Sequence, residues 1–168
     1  TFFASAITGV VNAVYNQANM VLVVLDNSTT AMTGHQPHPG TGRTVMGEIV
    51  QKINIEQVLR GIGVTEIETI NPLELEASVS CVKRMAEKSG VRAIIFKAPC
   101  IAVTRPKAPL HVDQDSCIGC KKCIRDLGCP AIVMNDEKIC IDASMCTGCH
   151  LCSQVCPVCA IAGGDDHE

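Results

Sequence analysis

The sequence predicts an α/β amino-terminal part, built as a partial doubly wound parallel sheet, followed by a small α+β part of different composition. Three observations carry this reading. Segments of helical spacing alternate with short apolar runs between Phe2 and Phe96, the alternation that a parallel sheet with helical crossovers requires. Ten of the twelve cysteines lie between Cys117 and Cys159. The charge balance also reverses: residues 1–110 hold ten Lys and Arg against eight Asp and Glu, whereas residues 111–168 hold four against nine.

Taken in order, Phe3, Ile7, Val10, Val11 and Val14 recur at helical spacing and predict a helix over residues 2–17, weakened by Gly9. Residues 20–25, MVLVVL, read as a buried strand that opens into a polar loop over residues 26–42. A short helix stopped by glycine follows over residues 55–61. Residues 63–72, GVTEIETINP, give a second strand with its turn, and Pro72 is expected to open a helix that runs to Lys88 and stops at Gly90. Residues 91–96, VRAIIF, form the third apolar strand. The expected domains are therefore 1–98, a proline-marked linker over 99–111, and 112–168. Parallel sheets bind ligands outside the carboxyl ends of their strands, where the loop beginning at Asp26 sits.

Composition excludes several function classes. Three Phe, one Tyr, no Trp and no basic block leave nothing to stack on bases or grip a phosphate backbone, so no nucleic acid partner is expected. The first 25 residues carry no charge, yet Asn12, Asn16, Gln17 and Asn19 interrupt them, and no run reaches the length of about 20 apolar residues that a membrane span needs. Closely spaced cysteines suit metal ligation better than disulfides and point to a reducing, cytoplasmic location. The start at Thr1 is read as a cut from a longer protein rather than as an unmasked threonine nucleophile.

The cysteines form an internal repeat, CIGCKKCIRDLGCP from Cys117 and CTGCHLCSQVCP from Cys146. Each places three thiols at two-residue spacing and a fourth before proline. Two structural zinc sites are the competing reading, but zinc is usually held by two separated cysteine pairs, not by triple runs with a trailing Cys-Pro. The segment resembles bacterial two-[4Fe-4S] ferredoxins. That resemblance implies one cluster on Cys117, Cys120, Cys123 and Cys156, and another on Cys129, Cys146, Cys149 and Cys152. The first motif carries five residues before its Cys-Pro where three are usual, which lengthens a turn or short helix without removing a ligand. Cys81 is expected to be a core thiol, Cys100 is ambiguous at a strand end, and Cys140 and Cys159 are expected to pack against the clusters. His111 and His150 are weak candidates for a catalytic role, His150 lying inside a cluster motif whose four ligands are already accounted for.

The opening loop, LDNSTTAMTGHQPHPGTG, resembles the diphosphate loop of thiamine-diphosphate enzymes, specifically of the large (alpha) subunit in the indolepyruvate ferredoxin oxidoreductase family. In that family a cofactor-binding α/β domain precedes two cluster motifs. The resemblance implies Mg2+ on the side chain of Asn27 and the carbonyl of Thr29, with Thr30, Met32, Thr33 and Gly34 around thiamine diphosphate. Asp26 is expected either to orient the loop or to be a solvated turn carboxylate. His35 and His38 are the candidates for catalytic contact, though exposed loop histidines more often have no such role. The implied reaction is oxidative decarboxylation of an aryl 2-oxo acid to an acyl-coenzyme A, with electrons passed through two [4Fe-4S] clusters to an external ferredoxin, in company with a beta subunit. The resemblance also places a Gly-Asp-Ser/Gly motif immediately before Thr1 and an activating glutamate further upstream, so the chain is expected to be the carboxyl-terminal part of a catalytic subunit, inactive alone. The alternative is a ferredoxin-type electron carrier with a non-catalytic α/β appendage.

Overall fold

The computed structural model describes residues 2–163, which fall into two units divided between Thr104 and Arg105. In the first unit a π-helical turn, Phe2–Ala6, runs into α1 (Ile7–Tyr15), and the polar Asn16 and Gln17 end the helix short of the expected residue 17. Strand β1 (Met20–Asp26) is followed by a long loop, then by α2 (Ile55–Ile62). The side chain of Asn54 caps α2 by accepting from Gln57 N–H, and Gly63 at φ +106° ends it. Strand β2 (Glu66–Ile70), α3 (Leu75–Glu87) and β3 (Val91–Lys97) complete the unit. Pro72 does not open α3. It lies in the preceding turn, where the Asn71 carboxamide accepts from Leu73 N–H at 3.1 Å.

The three strands are parallel in the order β1-β3-β2. Helices cover both faces, as a doubly wound sheet requires. Val10 of α1 and Leu59 of α2 pack with Val24, Ala93 and Ile95 on one face, while Cys81 and Met85 of α3 pack with Ile94 on the other. Cys81 is thus a core thiol, and burial, followed by its hydrogen bond to Glu68, raises its pKa. Arg92, 4% exposed, has its charge satisfied by the carbonyls of Met85 and Gly90 and the side chain of Asn19. The two sheet edges differ. On β2, Glu68 pairs with Arg84 at 2.6 Å and Glu66 pairs with Lys88, so charge from α3 guards that edge. On β1, Val23 and Leu25 are 48% and 76% exposed.

The second unit contains β4 (Leu110–Val112), α4 (Lys122–Leu127), β5 (Ile132–Asn135), β6 (Lys138–Ile141), α5 (Leu151–Val155) and β7 (Ile161–Gly163). Leu110 and His111, which the sequence assigns to the linker, belong to β4. The unit is an α+β repeat with exchanged strands: β4 pairs with β7, and β5 pairs with β6, both antiparallel. Each half therefore begins with a strand that pairs with the last strand of the other. The halves keep a constant offset of 29 residues, as in Asp113 to Asp142, Cys117 to Cys146 and Ile132 to Ile161. The two extra residues before Cys129-Pro130 are absorbed by a longer α4, capped by Gly128 at φ +57°, and two fewer residues follow that Cys-Pro, so the strands return to register.

Candidate functional site

The first candidate site is a cleft of about 850 Å3 in the amino-terminal unit, running along the free edge of β1 and beyond its carboxyl end. Its walls include Phe2, Phe3, Leu22 to Asp26, Asn27, Thr29, Thr30, Met32, His38 and Ile55. The chain beyond β3 holds the mouth of the loop in place: Ala98 N–H donates to the Asp26 carbonyl at 3.1 Å and Cys100 N–H to the Asn27 carbonyl at 2.9 Å. Cys100, ambiguous in sequence, thus contributes through its backbone. The Asp26 carboxylate accepts from Ser28 N–H at 3.0 Å and lies 4.0 Å from Lys97, the loop-orienting position expected of it. The Asn27 side-chain oxygen accepts from Thr29 N–H at 3.3 Å, which fixes this oxygen on the cleft wall.

Beyond Thr29 the loop closes on itself, with Thr30 N–H donating to the Gln36 carbonyl at 3.2 Å around a 3-10 turn, Ala31–Thr33. Gly34 follows at φ +103°. Its glycine is required by conformation, since an added Cβ would meet nothing within 4 Å. Asn27, Thr29, Thr30 and Met32 line the cleft, with Met32 fully exposed, whereas Thr33, Gly34 and His35 are not part of its walls.

The two loop histidines separate in the same way. His35 is exposed. His38 lies on the cleft wall, its ring 5.9 Å from that of Phe3, and its Nδ1 accepts from Gly40 N–H at 3.1 Å. An accepting Nδ1 leaves Nε2 as the nitrogen that carries the ring proton. Gly40 makes this arrangement possible, because a Cβ there would sit 3.0 Å from the imidazole and 3.2 Å from Phe3. Phe2 and Phe3 carry no chemical signal in sequence and read there only as helix residues.

The second candidate site is the cysteine repeat. Cys117, Cys120, Cys123 and Cys156 line one small, almost wholly apolar cavity together with Val112, Ile139, Ile161 and others, the fourth thiol coming from the far half of the repeat. The pKa of Cys123 is raised by burial and, to a smaller extent, by Cys120 and Cys156. Burial pushes the Cys152 thiol up to about 11, with smaller upward contributions from Cys149, Cys146 and Cys129. The cavity of the first expected quartet thus draws its fourth thiol from across the strand exchange. Among the described residues no group of three or more His, Cys, Asp or Glu side chains is arranged to hold a metal ion. Thiols spaced around a cavity fit a polynuclear cluster, whose ligands sit at separate corners, better than one tetrahedral ion.

The loops that carry the thiols repeat the same backbone solution. Asp113 accepts from Asp115 N–H and the Ser116 hydroxyl, and Asp142 from the backbone and hydroxyl of Ser144; these bonds hold both carboxyl groups below the usual carboxylate range. Gly119 and Gly148 take φ +63° and +67°, and Lys121 and His150 start the following helices in the same left-handed region. Backbone N–H groups already reach sulfur: Leu110 donates to Cys146 at 3.4 Å and Ala160 to Cys156 at 3.3 Å. Cys159 departs from expectation. It is exposed, in the two-residue extension after Cys156-Pro157, and does not pack as an apolar residue; Cys140 is half-buried on β6.

Comparison with known proteins matches residues 1–96 to the family described as thiamine pyrophosphate enzyme, C-terminal TPP binding domain, and residues 110–157 to the 4Fe-4S dicluster domain. The chain is 44% identical over 164 residues to the indolepyruvate oxidoreductase subunit IorA of Methanothermobacter thermautotrophicus, covering 96% of this chain and 26% of that protein. It is 40% identical to the subunit of the same name from Archaeoglobus fulgidus, covering 96% and 27%, and 38% identical to that of Pyrococcus horikoshii, covering 94% and 26%. The chain spans about a quarter of the length of these relatives.

Proposed function

The chain belongs to the thiamine pyrophosphate enzyme family through its C-terminal TPP binding domain, and on that premise we propose that it works as part of an indolepyruvate:ferredoxin oxidoreductase. The carrying observation is the succession, in one chain, of a TPP-binding fold with a cleft at a strand end and a dicluster domain whose first cysteine quartet lines one cavity. An isolated carrier would have no use for the first of these. The substrate is an aryl 2-oxo acid, the acyl acceptor coenzyme A, and the electron acceptor an external ferredoxin. A beta subunit completes the enzyme, which works in the reducing cytoplasm. Among the described residues no helix is long and apolar enough to cross a membrane.

When bound, thiamine diphosphate supplies the carbanion chemistry that removes carbon dioxide, and the clusters supply one-electron carriers. The residues present fit these groups. The Asn27 side-chain oxygen and the Thr29 carbonyl are hard oxygen ligands for Mg2+, which prefers such ligands and commonly shares its shell with phosphate. Thr30 and Met32 would face the diphosphate from the cleft wall, with Thr33 and Gly34 completing the turn that carries them. His38, which lines the cleft, rather than the exposed His35, would be the histidine to contact a bound substrate. The two cysteine quartets would hold the clusters, the first in an almost wholly apolar cavity with Cys120 at its exposed side.

Anaerobic reconstitution of the full-length subunit tests the cluster assignment: iron and acid-labile sulfide should each reach about eight per chain. Stoichiometric zinc without sulfide would overturn it. For the cleft, Asn27→Ala should weaken thiamine diphosphate binding in the presence of Mg2+ by about tenfold or more, the loss of one charge-assisted ligand. Unchanged binding would remove Asn27 from the metal shell.

A further inference from the structure

The two halves of the dicluster domain share a fold but not an environment. At the second loop an added Cβ on Gly148 would lie 2.7 Å from the Ala108 carbonyl and 2.7 Å from the Lys107 side chain, so residues 107–108 lie directly over it. The same strap donates Leu110 N–H to the Cys146 sulfur, and none of Cys129, Cys146, Cys149 and Cys152 is exposed. At the first loop the equivalent Gly119 has nothing within 4 Å of its Cβ position. There Cys120 is exposed, and Ile118, on the cavity wall, is 66% exposed.

Charge follows the same asymmetry. Residues 111–168 contain four Lys and Arg in all, and three of them, Lys121, Lys122 and Arg125, fall within five residues of the first motif. All three are exposed, and Arg125 donates to the Cys120 carbonyl at 3.2 Å. The second motif has His150, Leu151 and Gln154 at the matching positions. A net-negative domain thus gathers three of its four Lys and Arg in the stretch next to the one exposed cysteine among the eight expected ligands, with Asp126 following Arg125 and Asp113 and Asp115 preceding the motif.

We propose that this patch, Lys121, Lys122 and Arg125 around Cys120 and Ile118, is where an acidic iron–sulfur carrier protein docks to receive electrons from the cluster held by Cys117, Cys120, Cys123 and Cys156. The proposal rests on the cluster assignment made above. Opposite charge steers the encounter, and the exposed apolar Ile118 supplies a dry contact at its centre. Each transfer moves one electron: the first cluster is oxidised by one unit, the carrier's cluster is reduced by one, and no bond forms or breaks. The open loop gives the carrier a short path to sulfur, whereas the strap at Lys107 and Ala108 denies the same approach at the second loop.

The test uses the reconstituted holoenzyme and, as probe, a purified two-[4Fe-4S] ferredoxin with a large excess of Asp and Glu. Binding is measured by calorimetry over a range of salt concentrations for the wild type, for Lys121→Asn with Lys122→Glu, and for Lys138→Glu as a charge control. Asn is chosen at position 121 because φ there is +57°. The double variant should retain its iron and visible spectrum, lose about tenfold or more in affinity, and show a flatter salt dependence; Lys138→Glu should stay within about twofold of wild type. Equal losses in both variants, or unchanged affinity and salt dependence in the double variant, would overturn the docking site while leaving the clusters standing. A wild-type protein without iron would instead overturn the cluster assignment, and the docking proposal with it.

Discussion

Gly119 and Gly148 are the same residue in the same left-handed conformation, and they differ only in what lies above them. Alanine at either position costs about 1–2 kcal/mol for the conformation alone. At Gly148 the methyl group also meets the Ala108 carbonyl, a backbone atom that cannot rotate away, adding about 1–3 kcal/mol. Gly148→Ala should therefore lower the unfolding free energy of the domain clearly more than Gly119→Ala, as urea titration would report. Equal effects would mean that residues 107–108 do not cover the second loop. None of this was legible in the sequence, where the two glycines look alike because the strap that distinguishes them comes from the stretch that reads as linker. The cysteines were legible for the opposite reason: their spacing and the proline after the fourth are local and repeat. His38 lies between these cases, since its residue type marks it while its tautomer depends on Gly40 and Phe3.

Strands β1 and β3 were readable because they are largely apolar runs; β3 is buried along most of its length, as a central strand should be, whereas β1, expected to be buried, is an edge that leaves Val23 and Leu25 exposed. Strand β2 is an edge, and its alternation of Glu with apolar residues records that position. The β5–β6 hairpin gave no turn signal: Asp136 and Glu137 adopt φ +45° and +66°, where glycine or asparagine is customary. At the β2 edge the Arg84 hydrogen bond lowers the pKa of Glu68. A depressed folded-state pKa gives stability that is present above the ordinary carboxylate pKa of about 4.3 and is lost as the pH falls through the folded value. Wild type should therefore melt above Glu68→Gln at pH 7, by an amount on the order of 0.5 kcal/mol for a partly exposed pair, with the difference vanishing in acid below the usual carboxylate range. A difference that persisted there would trace the effect to packing rather than to the ion pair.

For the whole molecule the contrast between the two sheet edges has a practical result. Strand β1 leaves Val23 and Leu25 exposed beside the cleft, without the charges that guard β2. A chain of 17.8 kDa with such an edge should self-associate, and Val23→Lys should shift it toward the monomer in size-exclusion chromatography. Monomeric behaviour of the unaltered chain would show that the edge is protected. The second unit solves its own edges differently, by pairing the first strand of each half with the last strand of the other. This exchange sets a timetable during synthesis: β4 has no partner until Ile161 has left the ribosome, and on the proposed ligand assignment the first cysteine triplet waits for Cys156, made almost forty residues after Cys117. Iron delivered early would meet three thiols and an unformed wall, so maturation of both clusters belongs after translation of the domain is complete.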